Sequence, residues 1–388
     1  MNVALVHDWL TGMRGGEKVL EVLCEIFPEA TIYTLLCNKS NLSDSLRKMK
    51  IKTSFIQNLP FANSRYRNYL PLFPMAIESF ILKDYDLVIS TSHCVAKGII
   101  PGPATCHICY CLTPMRYIWD MYLDYFDNKK FFKKLITPLI TYLRIWDITS
   151  STRVDYYIAI SQHVSKRIKK YYRRDSIVIY PPVDTKLFLN SSSSSIPDNK
   201  HRTTDSKKQI FANNDYYLVI SALVPYKRID LAVNAFNKLK KRLLVAGDGP
   251  ELKKIKRIAE KNIEFLGNPD TSVIKGLYHN CKALIFPGEE DFGIVPLEAQ
   301  AAGKPVIAYG RGGATETILD GQTGVFFKQQ IVDALIEAVE KFEKLTFDPE
   351  KIKDWAQKFD RKIFKERLDN FIRDKIVFSS NFKGKDKN

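Results

Sequence analysis

The chain has 388 residues, enough for two domains of ordinary size, and its 45% hydrophobic and 26% charged residues give the balance of a globular protein. A formal charge of +16 asks for an anionic partner, of which nucleic acid and an anionic membrane surface are the two readings. The basic residues are spread widely and no zinc-finger, RRM or KH signature accompanies them, which argues against nucleic acid. The seven cysteines form no repeated Cys-x-x-Cys pairs at zinc spacing and fit reduced thiols of the cytosol. Residues 1–10 open on a strand, and no run of about 18 apolar residues occurs, so neither a secretory leader nor a membrane span is expected.

The first half reads as alternating strands and helices. Val3 to His7 is a buried strand, Glu17 to Phe27 a helix and Thr31 to Leu36 a strand. Between the first two, Gly15 and Gly16 leave the backbone free to approach a ligand just before a helix N-terminus. The loop lacks the G-x-G-x-x-G spacing of a dinucleotide site. Asp86 to Ser90 is a further strand, with His93 beyond its carboxyl end, where open α/β sheets place ligand residues. Cys106, Cys109 and Cys111 lie in a buried strand that runs into Tyr110-Cys-Leu-Thr-Pro-Met-Arg-Tyr-Ile-Trp-Asp120. Arg116 there suits a phosphate, and Tyr117 and Trp119 a sugar ring, against the plainer reading of an aromatic core. From Asn128 to Asp147, Lys129, Lys130, Lys133, Lys134 and Arg144 are mixed with Phe131, Phe132, Tyr142 and Trp146, a composition suited to a headgroup layer or to packing on the domain itself.

Two strands, Asp155 to Ser161 and one from Ser176, close the first half, and Asn190 to Asn214, with five consecutive serines, reads as a linker. The second half restarts with strand Tyr216 to Ser221. Lys227 and Arg228 follow at the start of a helix, where cations oppose the dipole unless an anion lies between. Leu243 to Pro250 is a strand and glycine turn, Ile263 to Pro269 a strand and loop, and Gly310 to Gly313 an architectural glycine turn. Trp355 to Ile376 reads as one charged helix.

The most informative stretch is Pro287 to Tyr309. Ala283 to Phe286 is a short buried strand, Glu290, Asp291, Phe292 and Gly293 form a polar loop, and a helix over Leu297 to Ala302 follows, ended by Gly303. A helix N-terminus attracts a diphosphate, and the carboxylates Glu290 and Glu298 suit hydroxyl groups to either side, a sugar on one and a ribose on the other.

Glu290-x-Phe-Gly-x4-Glu298-Ala resembles the E-x7-E signature of retaining glycosyltransferases of family 4, and Tyr110 to Asp120 is similar to bacterial surface-polysaccharide mannosyltransferases within it. The resemblance implies an α/β GT-B fold, two Rossmann-like parallel-sheet domains facing across a cleft. The expected divisions are 1–189 for the acceptor domain, 190–214 for the linker, 215–354 for the nucleotide-sugar domain and 355–388 for a helix crossing back. It implies a retaining hexosyltransferase, best read as moving α-mannose from GDP-mannose to a lipid-linked oligosaccharide in surface-polysaccharide synthesis. A UDP-sugar enzyme and a GT-B epimerase are the alternatives. By residue, it implies that Gly15 and Gly16 lie over the donor diphosphate, His93 faces the transferred sugar, Lys227 holds the diphosphate, and Gly267 and Asn268 lie at the base. Asp291, Phe292, Gly293, Ile294 and Val295 complete the donor loop between Glu290 and Glu298. Ala222 stands where the family has an arginine, so Arg228 is taken as its substitute. No metal or other cofactor is expected, since the Asp84-Tyr-Asp86 letters of metal-dependent glycosyltransferases precede a strand instead of following one. The expected partners are a nucleotide sugar, a lipid-linked saccharide and an anionic membrane, not nucleic acid. The expected location is cytoplasmic, peripheral on the inner membrane face.

Overall fold

The computed structural model describes residues 1–120, 133–189 and 215–383. The chain divides into two compact units, Met1–Pro182 with Lys362–Asn388, and Val183–Arg361. The exchanges fall at 182/183 and 361/362, where 189/190 and 354/355 were expected. The expected serine-rich linker at 190–214 lies outside the described residues, as do Lys129 to Phe132.

Seven parallel strands form the first sheet: β1 (Val3–His7), β2 (Thr31–Thr34), β3 (Lys50–Thr53), β4 (Leu87–Ser92), β5 (Cys106–Cys111), β6 (Tyr156–Ala159) and β7 (Ser176–Val178), in the order β3-β2-β1-β4-β5-β6-β7. The central strands β1, β4 and β5 are buried along their whole length, so none of them shows the in–out alternation of a half-exposed strand. The edge strand β3 exposes Lys50 and Lys52, a charge pattern that discourages pairing with another chain. Packed with this sheet are α1 (Gly15–Ile26), α2 (Ala62–Arg65), α3 (Phe73–Glu78), α4 (Lys133–Ser151) and α5 (Gln162–Tyr172). α5 starts where Ser161 accepts a hydrogen bond from the Val164 N–H at 3.0 Å. α4 buries Ile140, Leu143 and Trp146 while leaving Tyr142, Ile145 and Ile148 exposed. Its Asp147, fully buried, pairs with buried Lys97 at 2.7 Å and accepts hydrogen bonds from Trp119 Nε1 and the Tyr172 hydroxyl. With several donors converging on it, this buried carboxylate has its desolvation offset.

The second unit carries six parallel strands: β8 (Tyr217–Ile220), β9 (Leu243–Ala246), β10 (Ile263–Gly267), β11 (Leu284–Phe286), β12 (Val306–Tyr309) and β13 (Gly324–Phe327), in the order β10-β9-β8-β11-β12-β13. Alternate residues serve two cores. Val219, Val245, Ile285 and Ile307 pack with Phe236 on one face; Leu218, Leu244, Leu284 and Val306 pack with Tyr278 and Ala299 on the other. The helices that matter here are α6 (Ile229–Leu239), α7 (Thr271–Asn280), α8 (Ile294–Ala301) and α9 (Pro349–Gln357).

The charged C-terminal segment is two helices, correcting the single helix expected over Trp355 to Ile376. α9 ends at Gln357, and α10 (Arg361–Lys383) begins after a break. The break is held because the Val183 N–H donates to the Phe359 carbonyl at 3.2 Å and Arg361 N–H donates to the Val183 carbonyl at 3.0 Å. α10 belongs to the first unit, where Phe364 stands edge-on to Tyr110 at 5.7 Å and Lys365 pairs with Glu25 at 2.9 Å. Both sheets reverse their strand order once, between β1 and β4 and between β8 and β11. Loops leaving the carboxyl ends of such strands diverge, and the crevice they leave is where open α/β sheets hold ligands.

Candidate functional site

In the second unit the reversal lies between the loops after β8 and β11. The first runs through a 3-10 turn, Pro225–Lys227, to Arg228, whose φ of 53° turns the chain into α6. The second carries Gly288 and Glu290. A Cβ on Gly288 would stand 2.9 Å from Lys227 Cα, so only glycine lets the two loops meet here. They are joined by an ion pair between Lys227 Nζ and the Glu290 carboxylate. The Lys227 and Glu290 side chains keep 15% and 21% of their exposure, so the pair is largely withdrawn from water yet open on one side. Thus a cation and a carboxylate expected separately, from positions 63 residues apart, occupy one switch point. Arg228 does not join them: its guanidinium lies against Asp230 at 3.2 Å.

The polar loop is held from behind. Gly313 N–H donates to the Glu290 carbonyl at 2.7 Å, Gln330 Nε2 donates to the Pro287 carbonyl at 2.9 Å, and Phe292 is buried beside Phe359 with Asp291 nearly buried before it. A side chain on Gly313 would run into the Phe292 backbone, which explains the glycine-rich turn as architecture. Gly293, at φ 95°, leads into α8. That helix begins at Ile294, earlier than the expected Leu297, so Ile294 and Val295 form its first turn and Glu298 stands in the second. The Glu298 carboxylate accepts the Tyr278 hydroxyl at 3.0 Å, a contact with α7 that sequence spacing did not reveal. Gly267 ends β10 at φ 65° with open space where a side chain would be, and Asn268 beyond it is exposed.

The first unit has its own cluster at its switch point. Asp8 follows β1 and is fully buried, yet its carboxylate accepts four backbone N–H bonds, from His93, Cys94, Val95 and Ala96, at 2.6–2.9 Å. His93 Nδ1 stands 2.9 Å from Asp8 Oδ2, and the Trp9 ring meets the imidazole edge-on at 4.5 Å. Burial pushes the Asp8 pKa up, but the charge of His93 and the donated hydrogen bonds outweigh it and hold the carboxyl below the usual range. His7, buried at the end of β1 against Thr91 Oγ1 at 2.6 Å, is driven down to about 4 by burial, with Asp8 raising it and His93 lowering it. Asp8 was missed from sequence, although it occupies the position at a strand's carboxyl end that singled out His93. Gly15 and Gly16 are the first residues of α1, not a turn before it. A Cβ on Gly16 would press on Leu112 at 2.8 Å and on His7 at 3.3 Å, which gives that glycine a packing role.

Arg116 and Tyr117 are half-buried beyond β5. Arg116 lies near Arg167, which pairs with Asp120 and donates to Thr113 Oγ1 at 2.8 Å. Trp119 is stacked on Tyr171 at 4.6 Å under the Arg144 guanidinium, which uses the ring faces offered above to a sugar and favours the aromatic-core reading for that residue. Asp84 and Asp86 lie before β4, at the end of the sheet away from His93, where Asp86 accepts the Asn2 N–H at 2.8 Å.

Residues 201–359 match the family model described as Glycosyl transferases group 1. An uncharacterized glycosyltransferase of Methanocaldococcus jannaschii is 25% identical over 57% of this chain and 62% of its own. The GDP-mannose-dependent alpha-(1-6)-phosphatidylinositol monomannoside mannosyltransferase of Mycolicibacterium smegmatis is 31% identical over 41% of this chain and 44% of its own. The chain therefore spans about half the length of these curated relatives. Alpha-1,3/1,6-mannosyltransferase ALG2 of Candida glabrata is 25% identical over 98% of this chain and 94% of its own. Among solved structures, Anabaena HepE in complex with UDP superimposes with a TM-score of 0.68 at 17% identity, covering 96% of this chain and all of that one. At that identity the likeness carries the fold, two Rossmann-like parallel-sheet units.

Proposed function

We propose, from the premise that this chain is a GT-B glycosyltransferase of the family 4 type, that it transfers α-mannose from GDP-mannose to a lipid-linked oligosaccharide with retention of configuration. The observation that carries the reading is the Lys227–Glu290 pair at the switch point of the second unit. A donor diphosphate replaces Glu290 as the counter-ion of Lys227. Glu290 is thereby released to accept sugar hydroxyls, while Glu298 on α8 accepts those of the ribose. Arg228 adds to the positive field at the start of α6, beyond its pairing with Asp230. Negative charge develops on the leaving diphosphate, so Lys227 and the α8 N-terminus act where the transition state differs most from the ground state. His93, oriented by Asp8, holds a hydroxyl of the transferred sugar, and the acceptor proton leaves with the departing phosphate on the same face. Mannose is supported by the names of two relatives and by the likeness of Tyr110 to Asp120. Arg116 and Tyr117 are assigned to the acceptor, and Gly267 and Asn268 to the base.

A UDP-sugar is the second reading, favoured by a neighbour of the same fold that holds UDP. Thermal-shift titration with GDP, UDP and their mannose or glucose conjugates separates the two. A ligand that binds only the folded state raises stability with concentration over affinity. A selective GDP shift supports mannosyl transfer, a selective UDP shift replaces the sugar class, and no shift removes the donor site. The reaction is proposed to run without a divalent metal, so turnover in EDTA equals turnover without it. No helix among the described residues is long and apolar enough to cross a membrane. A peripheral location on the cytoplasmic membrane face is proposed because a lipid-linked acceptor lies there and the chain is strongly basic.

A further inference from the structure

Between Lys39 and Ile77 the chain carries seven cations, Lys39, Arg47, Lys48, Lys50, Lys52, Arg65 and Arg67, against the single carboxylate of Asp44. A tenth of the sequence thus holds a large share of the excess positive charge. In the same stretch Phe61 is 72% exposed and Met75, on α3, is 55% exposed. Phe61 has a φ of 55°, the left-handed region that suits glycine, and it gains little burial to offset that conformation. The Arg65 guanidinium lies 5.7 Å from its ring centroid. A hollow of about 370 Å³ opens alongside, lined by Asn38, Lys39, Thr53, Gln57 and Asn63, which brings Lys39 to the rim on which α2 stands. α3 in turn adjoins α4 through the Trp146 Nε1 bond to Glu78 at 2.8 Å, and α4 exposes Tyr142, Ile145 and Ile148.

We infer that this surface, with Phe61 as its apolar tip and Arg65 and Arg67 as its flanking cations, docks on an anionic phospholipid bilayer. An exposed ring beside guanidinium groups meets the two needs of an interfacial contact: apolar area for the acyl boundary and positive charge for the phosphates. Neither half alone holds a protein firmly at a bilayer; the combination does. The inference deepens the peripheral-membrane part of the proposed function and rests on it only for the expectation that the acceptor lies at a lipid surface. It places the apolar tip of the contact at Phe61 and its flanking cations at Arg65 and Arg67, outside the 129–146 segment.

The test is co-sedimentation of the full chain with vesicles of phosphatidylcholine alone and of phosphatidylcholine with phosphatidylglycerol, at low and physiological salt. Binding is expected only to the anionic vesicles and to weaken as salt rises. Phe61→Gly, which suits the backbone at that position, should weaken it about fivefold to tenfold, and Arg65→Glu with Arg67→Glu should abolish it. Thermal melts and nucleotide-induced shifts of these variants should match the wild type, since none of the three residues belongs to the donor site. Equal binding to both vesicle types, variants that bind like the wild type, or binding to single-stranded RNA in place of vesicles would each overturn the inference. Loss of the nucleotide shift in the wild type would overturn the donor reading instead and leave the vesicle result standing.

Discussion

The Lys227–Glu290 pair places two opposite requirements on two side chains, since each neutralises the other until a ligand intervenes. Glu290→Gln keeps the shape and removes the charge, so turnover should fall by about a hundredfold or more while nucleotide affinity changes little. Unchanged turnover would end its sugar-facing role. Lys227→Ala should raise the dissociation constant for the nucleoside diphosphate by about tenfold to a hundredfold, the worth of one charge-assisted contact. An unaltered constant by calorimetry would remove the lysine from the site. Asp8 is the residue whose loss should be felt most in folding. Asp8→Ala would strand four buried backbone N–H groups and the imidazole of His93. About 3–5 kcal/mol of stability is expected to go with it, measured by urea unfolding. A loss under 1 kcal/mol would mean that water replaces the carboxylate there.

The element that positions Glu290 is the glycine turn at 310–313. Gly313→Ala should force the Phe292 backbone away and cost about 1–3 kcal/mol by thermal or denaturant unfolding. It should weaken nucleotide binding in parallel, because the Glu290 carbonyl is bonded to the same residue. A variant that melts like the wild type would show that the two loops are not mechanically joined. This dependence also marks where the sequence was legible. Glu290, Gly293 and Glu298 lie within one strand–loop–helix unit, so spacing and helix-terminus chemistry were enough to mark them. Most strands were legible for the same reason, as apolar runs whose ends shifted by a residue or two, whereas the edge strands β3 and β13 were not read at all. What lay beyond reach were pairings set by tertiary structure: Asp8 meets His93 across 85 residues, and Tyr278 meets Glu298 from another helix. The α9–α10 break was also hidden, since Lys358 and Asp360 carry no breaker chemistry and it is Val183, distant in sequence, that takes the Phe359 carbonyl.

At the scale of the molecule, the two units answer to different variables. His7 and His107 are both wholly buried in the first unit, and burial drives each down to about 4. An unfolded chain protonates these rings near pH 6.5, whereas the folded unit leaves them neutral until about pH 4. Their contribution is therefore intact above pH 6.5 and is lost as pH falls through that window, by about 1.4 kcal/mol per pH unit for each histidine. Glu17, raised by burial, works the other way near its own folded pKa, while Asp8 stays ionised throughout and does not alter the slope. Nucleotide, in contrast, should stabilise the second unit, where Lys227, Glu290 and Glu298 lie. A two-unit chain need not melt in one step. Scanning calorimetry between pH 7.5 and 5 should thus lower one transition with acid and raise the other with nucleotide. His107→Gln should flatten the acid slope by about half, whatever it costs in absolute stability, because it removes one of the two protons that only the unfolded chain binds in this range. If acid and nucleotide move the same transition, or if His107→Gln leaves the slope unchanged, the assignment of one variable to each unit fails.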